Sequence, residues 1–315
     1  MHTLEPELRA LQTEGILDDA TASSALALDR GEVFSLHLEL RATLYAGVLL
    51  VMAGVGIVLA RNFDRIGPVA ILLVIALAAA ACGVPAIRSK LAGRALTIAN
   101  DYLLLLAALL SSAALAYAEH HFTLLGSWWS WHLLLLAVVH AAIAYRFASA
   151  LVLAASLTSL AGWFGVDGTL GDVLHSSHST PWLGARALAC AAVIAAWRHA
   201  DRRARPDTSF SDVFDHFAAN LAFWGTLAWC LEWPWLAAGL PLLAVLAYAS
   251  VRRGLDTGRE AFLVYGIVYA AIGICAVSVP RLHGMTASFG FVLIVVCVAA
   301  ATLWQLRRRL QEPGP

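Results

Sequence analysis

The chain has 315 residues, of which 60% are hydrophobic and 13% are charged. An ordinary soluble domain carries about 25% charged residues, so this composition excludes a water-soluble globular fold and indicates that the bilayer is the solvent. The formal net charge is zero and Lys90 is the only lysine, which argues against nucleic acid as a partner because that interaction needs a basic surface.

A polar segment, residues 1–41, precedes the first apolar run. Leu4, Leu8 and Leu11 recur at helical spacing up to Gly15, and Asp18 is suited to cap a second helix. The pattern predicts a pair of short amphipathic helices. Because so short a pair buries little surface alone, we expect it to pack on the membrane domain or to bind another membrane or cytoplasmic protein.

Long apolar runs follow, each close to the roughly 20 residues that a helix needs to cross the hydrocarbon layer. They predict an all-α helical bundle with about ten transmembrane helices between residues 42 and 306, followed by a short basic cytoplasmic tail, 307–315. The predicted spans are 42–60, 67–87, 96–118, 130–146, 147–165, 182–198, 217–233, 234–251, 261–279 and 286–306. Two abutting pairs, around Tyr145–Ser149 and around Glu232–Trp235, are interpreted as separate helices.

The basic residues give an independent test of this topology. With the N-terminus inside, most of the 21 Lys and Arg residues fall in cytoplasmic segments, and the outer segments hold only Arg61, Arg65, Arg186 and Arg281. This is the asymmetry that the positive-inside rule describes. We therefore predict that both termini lie in the cytoplasm.

Two stretches near the front carry a family resemblance. The first runs from Leu8 through Gly15 to Thr21, and the second closes the first span from Val58 through Asn62, Phe63 and Asp64 to Pro68. Together they resemble the bacterial predicted membrane proteins of domain of unknown function 2157, over roughly the first 90 residues of this chain. Phe63 stands where the family typically has Trp. The resemblance implies a bacterial inner-membrane location and supplies no activity.

Ionisable groups at membrane depth are functional candidates because they are costly there. Asp101 lies one turn into the third span, and His140 lies near the middle of the fourth, with His132 on the same face. They form a candidate intramembrane polar site, either for a proton or cation relay or as hydrogen-bonded packing groups. Further polar residues enter the seventh span on neighbouring turns: Asp212, Asp215, His216 and Asn220.

Histidines gather on the predicted outer face, where imidazoles are candidate metal ligands. The candidates are His120, His121, His175 and His178, although a solvated polar loop accounts for the same pattern. The chain contains no GxSxG elbow, GxGxxG or P-loop, so we predict no cofactor and no enzymatic activity.

Three interpretations of function stay open. The first is a multi-pass inner-membrane protein with a structural, sensory or partner-scaffolding role through the N-terminal helices. The alternative is a secondary transporter of a small solute or ion, because ten helices can divide into two five-helix halves near residue 170. The third is an outer-face metal-binding membrane protein.

Overall fold

The computed structural model describes residues 12–13, 18, 37–62, 67–93, 97–123, 131–165, 181–205, 210–231, 235–282 and 284–311. Within these ranges the chain forms ten α-helices and a 3-10 turn, and none of them contains a strand. The helices are α1 (His37–Asn62), α2 (Pro68–Leu91), α3 (Ile98–Phe122), α4 (Trp131–Phe147), α5 (Ala150–Trp163), α6 (Pro181–Ala204), α7 (Ser211–Leu231), α8 (Leu236–Thr257), α9 (Glu260–Ser278) and α10 (Met285–Gln311).

Each of the ten predicted spans falls on one of these helices, so the all-α membrane bundle is confirmed. The largest boundary errors lie at the end of α6, the start of α7 and the end of α8, where the helices extend beyond the predicted apolar limits into Arg- and Asp-containing turns. α10 continues to Gln311, so the predicted basic tail begins as the last turns of a helix. The N-terminal pair lies almost entirely outside the described residues, as does the Phe63–Ile66 part of the turn after α1.

Among the described residues, six helical segments are long and apolar enough to cross a membrane: Glu39–Val58, Pro68–Leu91, Ile98–Phe122, Leu236–Thr257, Glu260–Arg281 and Met285–Leu310. α4 and α5 are apolar but shorter, with 17 and 14 residues. At 1.5 Å per residue their lengths are about 26 and 21 Å, below the ~30 Å of a typical hydrocarbon core. That α4 to α7 also cross the membrane stays a prediction.

The chain separates into two compact units, residues 1–111 and 112–315. The predicted boundaries at residues 41 and 306 stay predictions. In the first unit, α1 and α2 line an apolar cavity of about 370 Å³ together with Leu110. Asn100 donates a hydrogen bond to Ser89 at 3.0 Å, which joins the start of α3 to α2.

The second unit begins with the end of α3 and a hairpin of α4 and α5. The helices separate at Ala148, whose φ of 56° is left-handed, and at Ser149, whose hydroxyl accepts a hydrogen bond from the Val152 amide and so caps α5. Trp131 at the start of α4 contacts Trp163 at the end of α5, which shows that the two helices are antiparallel. The predicted break between the fourth and fifth spans is therefore confirmed.

Helices α6 to α9 pack closely because glycines let their backbones approach. A Cβ added at Gly184 of α6 would lie 2.5 Å from the Trp229 ring and 2.7 Å from the carbonyl oxygen of Gly225 on α7. A Cβ at Gly266 of α9 would lie 2.8 Å from the carbonyl oxygen of Ala247 on α8. Small residues at such contacts are typical of helix association in membranes.

The two ends of the second unit differ in chemistry. At one end Trp229 and Trp235 stack across the junction of α7 and α8, with ring centroids 5.4 Å apart. At the other end arginines gather, with Arg205 over the Tyr145 ring at 4.5 Å and Arg307 bonded to Glu260. The residues predicted to be cytoplasmic therefore meet at one end of this unit, as an alternating topology requires.

Candidate functional site

The most developed polar site in the described residues is centred on Asp215, in the second turn of α7. Its side chain is 4% exposed, and its two carboxylate oxygens bind different helices. Arg198 Nε of α6 lies 2.6 Å from Oδ1, and Arg253 Nη2 of α8 lies 2.6 Å from Oδ2. The Arg253 contact is a charge-assisted hydrogen bond, which is stronger than a neutral one, and the Arg198 contact is an ion pair without hydrogen-bond geometry. One buried carboxylate therefore links three helices.

A second layer of contacts holds these arginines in place. Arg253 lies over the Phe262 ring at 5.1 Å from its centroid, a cation–π geometry. Arg259, in the tight junction of α8 and α9, lies 2.6 Å from Asp212 and 3.9 Å from Asp215. The junction itself depends on Gly258, whose φ of 66° ends α8 in a left-handed conformation that glycine adopts without strain.

A ladder of polar contacts continues from this site along α7 and α9. Tyr265 Oη lies 3.1 Å from His216 Nδ1, and Tyr269 donates a hydrogen bond to Asn220 Oδ1 at 2.7 Å. The His216 ring also stacks on Phe262 at 5.5 Å. These pairs fix the rotation of α9 against α7, because each donor must meet its acceptor across the interface.

Two cavities adjoin Asp215 and share Arg198, Ala249 and Arg253 in their walls. The inner one, of about 230 Å³, is lined by Asp215, Ser250, alanines of α6 to α8 and three larger apolar side chains, Phe223, Leu246 and Phe262. The outer one, of about 530 Å³, adds Arg202, Val245, Tyr248, Arg252, Asp256 and Thr257. Four guanidinium groups line the outer cavity, so its chemistry is suited to an anion.

The candidate intramembrane residues Asp101 and His140 fall in different units. Asp101 is partly buried in the first turn of α3, where its amide binds the Thr97 carbonyl oxygen at 3.0 Å. His140 is 2% exposed, and its Nε2 lies 3.2 Å from the Ser112 hydroxyl of α3. His132, on the same face of α4, is 4% exposed. A relay between Asp101 and His140 stays a prediction.

The candidate metal ligands are only partly within the described residues. His120 is exposed at the end of α3, and its ring meets that of His121 edge to face at 5.6 Å. His121 also contacts the Tyr117 ring at 4.7 Å. His175 and His178 lie outside the described residues. In the described part of the chain, no three His, Cys, Asp or Glu side chains form a group placed to hold a metal ion.

The sequence alone pointed to Asp215, His216 and Asn220 as polar residues on neighbouring turns, but it did not identify their partners. Arg198 and Arg253 were among the basic residues of the predicted cytoplasmic segments and received no other role. The signal in the sequence was an acidic residue, Asp215, near the start of one predicted helix, together with arginines near the ends of the helices before and after it. The predicted topology places these helix ends on the same side of the membrane.

The helical architecture, the six membrane-length helices and the arginine-rich end define an α-helical integral membrane protein. Residues 9–153 match a family model described as "Predicted membrane protein (DUF2157)". The family resemblance is thus confirmed, and it extends well beyond the first 90 residues, into α5. No curated protein and no solved structure matches the chain significantly.

Proposed function

We propose that the chain is a non-enzymatic multi-pass protein of the bacterial inner membrane, with a structural, sensory or partner-scaffolding role and with both termini in the cytoplasm. The enclosure of His140 carries this proposal. The side chain lies at the middle of α4, is 2% exposed, and bonds across the helix interface to Ser112. A histidine held in this way stabilises packing between helices.

Transport, the rival function, requires a polar group that a solute or ion reaches from water. Neither Asp101 nor His140 lines any of the four cavities described for this chain. The largest, of about 820 Å³, is bounded by apolar side chains of α9 and α10, such as Ile272 and Val296, and so is suited to lipid chains. This arrangement supports close packing around Asp101 and His140, whereas the polar cavities of the described residues lie beside Asp215.

Cysteine accessibility tests the enclosure of His140 directly. In a variant lacking the five native cysteines, we expect His140→Cys to react with a membrane-impermeant maleimide as slowly as Leu153→Cys, which is 0% exposed. Arg203→Cys, at the exposed end of α6, is the reactive control. Labelling of His140→Cys at a rate close to that of Arg203→Cys would contradict the proposal and support an aqueous pathway.

The partner-binding part of the proposal rests on the amphipathic pattern of the N-terminal segment, most of which the family match includes. Leu8→Asp/Leu11→Asp is expected to reduce the size of the native complex in mildly solubilised membranes while the unfolding temperature stays unchanged. Thr13→Asp, at an exposed position, is the matched control. An unchanged complex in both variants would place the partner surface elsewhere.

A further inference from the structure

Arginines from α6 and α8 surround the outer cavity beside Asp215, and their charges are only partly neutralised. Asp215 pairs with Arg198 and Arg253, whereas Arg252 pairs with Asp256 at 3.7 Å through side chains that are 69% and 67% exposed. Such an exposed pair contributes little. No described carboxylate pairs with Arg202. Four guanidinium groups against two carboxylates leave two positive charges at the cavity.

The site is also pre-organised. Asp215 fixes the Arg198 and Arg253 guanidinium groups, and these contacts use one nitrogen of each. Because a guanidinium carries five N–H donors in a rigid fork, each retains donors that match the spacing of phosphate oxygens. Arg202 and Arg252 lie on the outer wall of the same cavity, where their exposed side chains face an entering ligand from two helices.

The remaining wall of the outer cavity has the composition of a membrane interface. Val245 and Tyr248 line the outer cavity and are 61% and 68% exposed, so an apolar strip adjoins the arginines on α8. A tyrosine beside basic residues near the end of a membrane helix is typical of the headgroup layer. Basic pockets between such helices on the cytoplasmic side recognise anionic lipid headgroups.

We propose that the cavity lined by Arg198, Arg202, Arg252 and Arg253 binds a phosphate group. The group is either the phosphate of an anionic phospholipid or a soluble phosphate, because the arginines offer the same contacts to both. The inference does not depend on the scaffold role, since the cavity and its charges are independent of His140.

The test compares two double variants of the full-length protein that remove the same charge. Arg202→Gln/Arg252→Gln removes the outer guanidinium groups and leaves the Asp215 contacts in place. Arg203→Gln/Arg309→Gln, the control, neutralises two exposed arginines that line neither cavity. The unfolding temperature without added ligand verifies that both fold, and Arg202→Gln alone replaces the first variant if it does not.

Two arms of the experiment distinguish the sources. Inorganic phosphate is titrated against chloride at equal ionic strength. Stabilisation lost only in Arg202→Gln/Arg252→Gln shows that the cavity binds a phosphate group, and without selective lipid retention in the second arm it identifies a soluble phosphate. Native mass spectrometry after exchange into phosphatidylglycerol or phosphatidylcholine measures retained lipid, and selective loss of phosphatidylglycerol from the same variant identifies a lipid headgroup. We expect a roughly 30-fold lower affinity in that variant, from the contribution of each basic residue to binding an anionic surface.

Equal behaviour of the two double variants in both arms would overturn the proposal. The arginines would then be a solvated cluster that serves only the charge asymmetry of the topology. That result would leave the accessibility of position 140 unchanged, so failure of this inference and failure of the proposed function are separate outcomes.

Discussion

The two units of the chain use their helices differently. In the first unit, a Cβ added at Gly47, Gly54 or Gly56 of α1 would have no atom within 4 Å. In the second unit, a Cβ at Gly184, Gly225, Gly254 or Gly266 would lie within 3 Å of a neighbouring helix. An apolar side chain is solvated by lipid tails about as favourably as by a neighbouring helix. Specific helix pairing in a membrane therefore needs close backbone approach and polar contacts. The second unit contains both.

The largest expected effect is the loss of the Asp215 charge. Asp215→Asn leaves Arg198 and Arg253 without their shared carboxylate, and removing one partner of a buried ion pair is strongly destabilising. Because Arg198 and Arg253 are 20% and 40% exposed, water offsets part of that loss. We expect the free energy of unfolding to fall by about 2–3 kcal/mol, measured by denaturation in mixed micelles.

The control for this prediction is Asp256→Asn, which removes the same charge from an exposed pair with Arg252. Exposed pairs contribute about 0–1 kcal/mol, so its unfolding curve should remain close to that of the wild type. Equal losses in the two variants would mean that Asp215 does not link the helices.

A smaller effect is expected from closing the glycine contact between α6 and α7. Gly184→Ala places a methyl group against the Trp229 ring and the Gly225 carbonyl oxygen. Overpacking of this kind lowers the free energy of unfolding by about 1–3 kcal/mol. The higher helix propensity of Ala offsets up to ~1 kcal/mol of that loss. The unfolding temperature should therefore fall. Gly54→Ala in α1 is the matched change in the first unit, and there we expect no loss or a slight gain.

The smallest effect concerns the polar ladder. Tyr269→Phe removes the hydrogen bond to Asn220 Oδ1 and should lower the free energy of unfolding by about 1 kcal/mol. Tyr248→Phe, at a side chain that is 68% exposed, should leave it unchanged. A larger loss in Tyr248→Phe would show that the exposed face of α8 contacts something other than lipid.

The sequence predicted the helices well because a membrane-spanning helix needs a long apolar run, which is visible in the sequence. Apolar length located all ten helices, and Pro68 and Ser149 coincide with helix starts where their chemistry favours one. The largest errors lie at the end of α6, which continues through Arg202, at the start of α7, which begins at Ser211, and at the end of α8, which continues to Thr257. Backbone hydrogen bonding does not stop at the edge of an apolar run, so hydropathy underestimates these ends.

The sequence predicted less of the candidate site than of the helices. His140 stood out because a histidine at mid-helix is unusual, and it proved to be enclosed. Asp215 was noticed, but Arg198 and Arg253 lie 17 and 38 residues away in the chain, so only a tertiary structure brings them to one carboxylate. Four cationic side chains in a single cavity are not encoded by any local spacing.

The Asp215 contacts have a consequence for how the protein enters the membrane. α6 and α7 are not among the six segments apolar enough to cross by themselves, and their crossing is a prediction. If they do cross, α6 carries Arg198 near its end, which is costly to place in lipid without a counter-charge. Its counter-charge arrives with the very next helix. If both helices cross as predicted, α6 gains from being held until α7 has been synthesised, and we expect the two to insert as a single unit during biogenesis.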